Sequence, residues 1–368
     1  MPLLFPCSRH PLLAALSIPL LLLLTTIALL ALPSPEKALY HQAREEGRLL
    51  IYSVTDAQRV APLIARFTAR YPGIDVIYRE MGSLAMHRRF LDDLTHRHAG
   101  ADLLWSSAMD LQIKLVNDGH TQPYRSRERA ALPEWANYRD QAWATTFEPV
   151  VIAYHRKRLP EAQVPHSHLA LARLLQAQPA RWRGRIATYD IERSAVGFSF
   201  LAQDERIGGE AIWQLVRRLG AADVRLSTTT EAMVDALASG EVDLVYNAIG
   251  SYVLAHAQRN PDIGFVFPRD YTLVMSRIAV IPRTAPHPNA ARLWLDFLLS
   301  REGQQLLSAQ QLLSIRYDSD DALGASGLAK VLGDSLKPIQ PGLGLLAFQD
   351  QRNRAALLER WRREIGHR

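Results

Sequence analysis

Residues 49–78 read LLIYSVTDAQRVAPLIARFTARYPGIDVIY, and this stretch decides the fold. Residues 49–53 form an apolar run of strand formers. After the short polar turn at 54–56, apolar residues recur at Val60, Leu63, Ile64, Phe67 and Tyr71, the spacing of one helix face. Pro72 and Gly73 stop that helix, and 74–78 (IDVIY) read as a second strand. Strand, helix and strand in close succession are the unit from which parallel sheets are built.

The pattern continues outward. Residues 84–98 have helical spacing, 102–105 (DLLW) are a buried-looking strand, and a helix at 108–117 ends at Asp118 and Gly119. A second unit has strands expected at 150–154, 185–189 and 242–246, with helices at 167–176, 194–203, 210–219 and 231–239. Strands at 265–268 and 273–281 lead back toward the first unit, and helices follow at 289–299 and 301–313. No Pro/Gly/Ser-rich linker separates the two units, so they are expected to be joined by strand-like crossovers that hinge around a cleft.

The 368 residues are 48% hydrophobic and 22% charged, ordinary for a globular chain of two domains. The formal net charge of +6 favours anionic ligands. Its basic residues are scattered and show no basic stripe with interleaved aromatics, so nucleic acid is not expected as a partner. Arg9 and His10 precede an apolar run over 12–32, which reads either as a cleaved export signal or as a retained membrane anchor. The one cysteine, Cys7, lies ahead of this run, so residues beyond it carry no thiol for disulfide, zinc or nucleophilic chemistry. The final stretch, with Leu357, Leu358, Trp361 and Ile365, is a basic amphipathic helix expected to dock on its own domain.

Several strand-to-helix turns carry short hydroxyl or amide side chains: Ser53 and Thr55, Ser106 and Ser107, Ser194 with Gly197, and Asn247 with Gly250 and Ser251. A helix N-terminus offers unpaired N–H groups and a partial positive charge, which together hold phosphate or carboxylate. Any one of these turns alone reads as a simple helix cap. Together, on alternating strands and helices, they are expected to converge on one cleft. Thr145 and Thr146 read either as crossover or as strand residues, and Thr146 is counted with the turn residues as expected to bind ligand. Arg193 and Arg277 are the charge candidates, because guanidinium matches carboxylate and phosphate as a fork. Patterns for a nucleophile elbow, a phosphate-binding loop or a zinc protease do not occur, so the chain is not expected to be an enzyme, and no cofactor or metal is expected. His96 and His98 lack a third ligand nearby in sequence.

The sequence also resembles the periplasmic substrate-binding components of ABC importers, in the branch that includes ferric-ion-binding and phosphoglycerate transport regulatory proteins. The residues carrying the resemblance are LLIYSVTD (49–56), ADLLWSSAMD (101–110), ATTFEPVVIAY (144–154), ATYDIERSAVGF (187–198), SGEVDLVYNAIGSY (239–252) and PHPNAARLWLDFLLSREGQ (286–304). This likeness implies a type II periplasmic-binding fold: two α/β lobes joined by crossover strands around a ligand cleft. It implies lobe 1 over 36–145 plus 272–368, lobe 2 over 146–271, and a periplasmic location. Ferric members use adjacent tyrosines just after the segment matching 239–247, with a histidine in the first strand-to-helix turn. Here the tyrosine positions hold Gly250 and Ser251 (or Ile249 and Gly250), Tyr252 stands alone nearby, and the first turn holds Thr55 or Asp56. The anion pocket of such sites is kept as Ser194, Ala195, Val196 and Gly197. The expected ligand is therefore a small organic anion (a phosphate ester, phosphonate or carboxylate), with a ferric-ion-binding protein as the alternative. Its expected partner is an ABC permease or, alternatively, a membrane sensor kinase.

Overall fold

The computed structural model describes residues 34–366 except 97 and 99. The export segment and Cys7 lie outside the described residues. Helix α1 (Pro35–Glu46) starts where the Ser34 hydroxyl accepts from the Lys37 N–H, and ends at Gly47 with a left-handed φ of 69°. There follow β1 (Arg48–Ser53), α2 (Ala57–Arg70), β2 (Asp75–Glu80), α3 (Ser83–Thr95), β3 (Leu103–Ser106), α4 (Met109–Asn117), β4 (Asn137–Tyr138) and β5 (Ala142–Ala144). The chain then crosses into β6 (Glu148–His155), α5 (His168–Ala177), α6 (Pro179–Trp182), β7 (Ile186–Tyr189), α7 (Ala195–Gly208) and α8 (Glu210–Ala221). This part continues through β8 (Arg225–Ser227), α9 (Thr230–Ala238), β9 (Leu244–Ile249), α10 (Gly250–Ala257), β10 (Ile263–Val266) and β11 (Thr272–Met275). The remainder is β12 (Ile278–Val280), α11 (Pro288–Leu299), α12 (Arg301–Ala309), α13 (Ala325–Leu332), β13 (Leu336–Pro338) and α14 (Gln351–Ile365).

Two sheets result, one per lobe. The first runs β2-β1-β3-β12-β5-β4, and the second β13-β11-β6-β9-β7-β8 with β10 beside β6. Strands β1, β2 and β3 are parallel and in register, so Ser53 lies beside both Glu80 and Trp105. The turns that follow these three strands therefore share one sheet edge. In the second sheet β7 is parallel to β8 and to β9, which collects the turns after those strands at one edge as well. The carboxyl ends of parallel strands are where ligands bind in such sheets.

The expected helix face of α2 is the one that packs. Val60, Leu63 and Phe67 are buried, and the Phe67 ring meets Trp294 and Phe297 of α11 edge-on at 5.0 and 5.6 Å. Trp105, Trp143 and Trp294 fill the first lobe, and Trp182 and Trp213 the second.

Two expectations need correction. The single strand expected over 273–281 is two strands in different sheets, β11 and β12, and the chain crosses between lobes at Ser276 and Arg277. The polar pair Ser276–Arg277 marks the crossover within the run, and both residues are buried. The boundary expected at residue 272 is displaced for the same reason: β11 and β13 belong to the second sheet, and α14 packs on α8. The stretch 343–348 touches α4 of the first lobe, so the C-terminal segment contacts both lobes.

Docking of α14 requires Gly220. A Cβ there would stand 2.1 Å from the Ile365 carbonyl oxygen, a backbone atom that cannot swing aside. Gly220→Ala is expected to destabilise the chain by roughly 1–3 kcal/mol, as overpacking does. Urea unfolding would show the lowered midpoint, and ligand affinity should be unchanged because neither Gly220 nor Ile365 lines the interlobe cavities.

Candidate functional site

Between the lobes lies a cavity of about 420 Å³. The first lobe lines it with Val54, Asp56, residues 80–85 and Ser107, and the second with Tyr189, residues 193–196, residues 228–231, Ile249 and Tyr252. A second cavity of about 550 Å³ adjoins it and shares Asp56, Glu231 and Tyr252. The Tyr252 hydroxyl donates to Asp56 at 3.3 Å, bridging the lobes where the two cavities meet.

Among the helices that begin at the first cavity are α3, α7 and α9, while α2 begins there at Asp56 with Glu80 accepting from its Ala57 N–H. The Ser194 hydroxyl accepts from the Gly197 N–H at 3.2 Å, which leaves the Ala195 and Val196 N–H groups of α7 without an intrahelical partner. Thr229 caps α9 in the same way through the Ala232 N–H at 3.2 Å. Helix α3 has Gly82 at its cap position and no side-chain cap, so its first N–H groups also lack an intrahelical partner. The partial positive charges of three helix ends thus face one space. Gly197 makes the α7 end possible: a Cβ there would lie 2.3 Å from the Cβ of Tyr189.

Of the residues expected to bind ligand, Ser107, Ser194 and Ala195 line this cavity. The others lie behind its wall. Ser53 is buried and accepts from the Thr55 N–H at 3.0 Å, while buried Ser106 accepts from the Ala108 N–H at 3.1 Å. Thr55 accepts from Arg277 Nη1 at 3.0 Å. Asn247 adopts a left-handed φ of 61° and turns its amide onto Asp204 at 2.7 Å. Gly250 is packed so closely that a Cβ would lie 2.7 Å from the Pro149 carbonyl oxygen. Ser251 donates to Glu148 at 2.5 Å.

These buried groups form the hinge. Arg277, 1% exposed, pairs with fully buried Glu148 through Nε–Oε1 at 2.9 Å. The Thr146 hydroxyl donates to Glu148 at 2.8 Å and accepts from the Arg277 N–H at 2.9 Å. Burial pushes the Glu148 carboxyl up, but the adjacent Arg277 charge and the hydrogen bonds outweigh it and hold the carboxyl below its ordinary range. Thr145 and Thr146 are therefore crossover residues, and Arg277 is a structural tie between lobes rather than a cavity charge. Arg193 reaches the cavity rim, with its side chain 75% exposed.

A second buried polar group underlies Asn247. Asp204 is fully buried and accepts from Tyr246, Tyr271 and Asn247 at 2.9, 2.9 and 2.7 Å. Burial pushes its pKa up, against the opposing effect of His168 and these hydrogen bonds. A raised folded-state pKa stabilises the protein below the ordinary carboxylate range, and that contribution is lost as pH rises through the folded value. The destabilisation caused by Asp204→Asn is therefore expected to be larger at pH 4.5 than at pH 7.5. Urea unfolding of both proteins at the two pH values measures it.

The sequence reading missed residues 80–85 and the threonine run 228–230. Three threonines directly before a helix are a legible start signal. The stretch 80–85 carried no such signal, because its place in the cavity depends on how the lobes meet. Two carboxylate–histidine groups bring ligand atoms within 4.8 Å of one another: Asp92, Asp93 and His98, and Glu231, Asp235 and His256. In the first, Asp93 is already engaged by Tyr52 and Arg89. In the second, Glu231 and Asp235 are exposed and His256 half-buried, and Glu231 also lines both cavities. Among the described residues, no helix is long and apolar enough to cross a membrane.

Comparison with known proteins places this geometry. A family model for bacterial extracellular solute-binding proteins matches residues 100–329. The substrate-binding protein of an ABC transporter from Agrobacterium tumefaciens is similar at 37% identity, over 86% of this chain and 94% of that one, with a TM-score of 0.81. Iron-bound HitA from Pseudomonas aeruginosa shares the fold at 20% identity and a TM-score of 0.69, over 87% of this chain and 99% of that one. AfuA from Actinobacillus pleuropneumoniae, bound to fructose-6-phosphate, does so at 17% identity and a TM-score of 0.71, over 88% and 99%. No curated protein matches the chain. With two α/β lobes around a polar cavity and a matching family model over more than half its length, the chain belongs to the bacterial extracellular solute-binding proteins, in the type II periplasmic-binding fold.

Proposed function

We propose that the chain is the periplasmic receptor of an ABC-type importer, handing a small organic anion to a membrane permease. The anion, a phosphate ester, phosphonate or carboxylate, sits at the N-termini of α7 and α9. The Ala195 and Val196 N–H groups and the hydroxyls of Ser107 and Ser194 are its donors. Ser53, Thr55, Ser106, Thr146, Asn247, Gly250 and Ser251 act from behind the wall by holding the turns and the hinge. The convergence of three helix N-termini on one interlobe cavity carries this reading.

The fold alone does not select the solute, since HitA holds iron and AfuA a sugar phosphate within it. The free N–H groups at the helix ends favour the anion, while the carboxylates of Asp56, Glu80 and Glu231 also line the cavity. Ferric iron wants several hard anionic oxygens. The stretch from Gly250 offers one phenol, Tyr252, because Gly250 has no room for a side chain and Ser251 is committed to Glu148. Isothermal titration with inorganic phosphate, 3-phosphoglycerate, ethylphosphonate, succinate and ferric citrate tests the proposal. Saturable heat is expected with at least one phosphoryl or carboxylate probe. Tight uptake of ferric ion, with no response to the organic anions, would refute it.

A further inference from the structure

The C-terminal segment ties the lobes together apart from the two crossovers. Strand β13 extends the second sheet, pairing Leu336 with Thr272 and Pro338 with Val274 of β11. The chain then leaves that lobe, and residues 343–348 lie against α4 of the first lobe with Leu345 buried. There the Gln349 amide donates to the Asp110 carboxylate. Asp110 is 5% exposed, and its other oxygen, Oδ1, is buried with no hydrogen-bond partner among the described residues. Burial pushes the Asp110 carboxyl up, opposed by backbone N–H groups, by Gln349 and by the charge of Arg354. Helix α14 then returns to the second lobe, where the Arg354 guanidinium lies 4.2 Å from the centre of the Phe198 ring of α7. Both contacts stand about one helical turn from the cavity. Asp110 follows the Ser107 turn, and the Phe198 N–H donates to the Ser194 carbonyl.

The joint between these contacts is not slack. The Asp350 carboxylate accepts from the Arg352 and Asn353 N–H groups at 3.0 and 3.1 Å, and Asn353 Nδ2 donates to the Ala347 carbonyl at 2.8 Å. A turn capped and braced in this way cannot lengthen as a flexible linker does. Its two anchorages are unequal. On the second lobe, α14 buries Leu357, Trp361 and Ile365, and pairs Arg362 with Glu192 at 2.7 Å and Glu364 with Arg217 at 2.8 Å. On α4 of the first lobe, the side-chain hydrogen bond among the described residues is Gln349 to Asp110.

We propose that residues 343–354 are a strap that restrains lobe opening. Carried by α14 on the second lobe, the strap is fastened to the first lobe where Gln349 meets Asp110, and it must unfasten there for the cleft to open fully. Its place beside the Ser107 and Ser194 turns puts the restraint where the lobes move against each other. The inference does not depend on which solute the cleft takes.

Spin labels across the cleft test the strap. In the full chain carrying Cys7→Ser, Arg88→Cys on α3 and Ser239→Cys at the end of α9 place the labels on exposed positions of opposite lobes. Pulsed dipolar spectroscopy without added solute reads the interlobe distance. Gln349→Ala is expected to lengthen its mean by about 2 Å or more, the scale of a domain rearrangement. Asp350→Ala, which keeps Gln349 and loosens the joint, should shift it the same way. If both variants fold and keep the native distance distribution, the proposal is overturned. A lowered unfolding temperature with unchanged distance counts the same way, since it would make the tie merely structural.

Discussion

Arg277→Met is expected to destabilise the protein by about 3–5 kcal/mol, the usual cost of leaving one partner of a buried ion pair behind. The unfolding temperature should fall on the order of 10 °C. The cost arises on Glu148, which is fully buried and would keep the Ser251 and Thr146 hydrogen bonds but lose its ion-pair partner. Thr55 of the first lobe would lose its tie to the crossover as well. The double variant Arg277→Met/Glu148→Gln should recover much of the loss, because no unpaired charge remains buried. If single and double variants were equally unstable, the crossover would depend on packing and not on charge. The pH dependence has a definite sign. In the native protein Glu148 is held below the ordinary range, so its contribution is present above that range and is lost as pH falls through the folded value. Without Arg277, burial, the largest cause, pushes the carboxyl up against only the Ser251 and Thr146 hydrogen bonds, so the variant is favoured by acid relative to the native protein. The stability gap between the two proteins should therefore widen from pH 4 to pH 7.

The second large effect concerns binding. Ser107→Asp puts a carboxylate on the cavity wall that the proposed anion must approach. Juxtaposed like charges cost several kcal/mol when desolvated, and about 2.7 kcal/mol corresponds to a hundredfold in affinity. Binding of whichever phosphoryl or carboxylate probe titrates best should fall about a hundredfold or more. Ser107→Ala should cost about tenfold, the value of one hydrogen bond to a charged group. Thermal stability of both variants without ligand should stay near native, since the cap of this turn is made by Ser106, not Ser107. An unimpaired aspartate variant would place the anion elsewhere in the cleft.

The elements that could be read from sequence were those governed by local periodicity. The face of α2 with Val60, Leu63 and Phe67 is legible because a helix repeats every 3.6 residues, whatever it packs against. The Ser194 turn is legible because a cap is a contact within four residues. Residues 273–281 read as one strand despite the polar pair Ser276–Arg277, because what buries that pair is polar partners 129–131 residues away, which no local pattern shows. The same long-range pairing explains the site. Hydroxyls at strand ends can face either the cavity or the hinge, and nothing local distinguishes Ser107, which lines the cavity, from Ser106, which caps a turn.

The sequence by itself determined that this chain builds two α/β lobes with small polar turns at the ends of parallel strands, because periodicity and capping act over a few residues. Only the tertiary structure decided which turns reach the solute and which tie the hinge. It also brought Asp56, Glu80 and Glu231 beside the helix N-termini. Their meeting depends on the packing of segments far apart in the chain, where long-range ion pairs, close glycine contacts and lobe geometry replace local pattern.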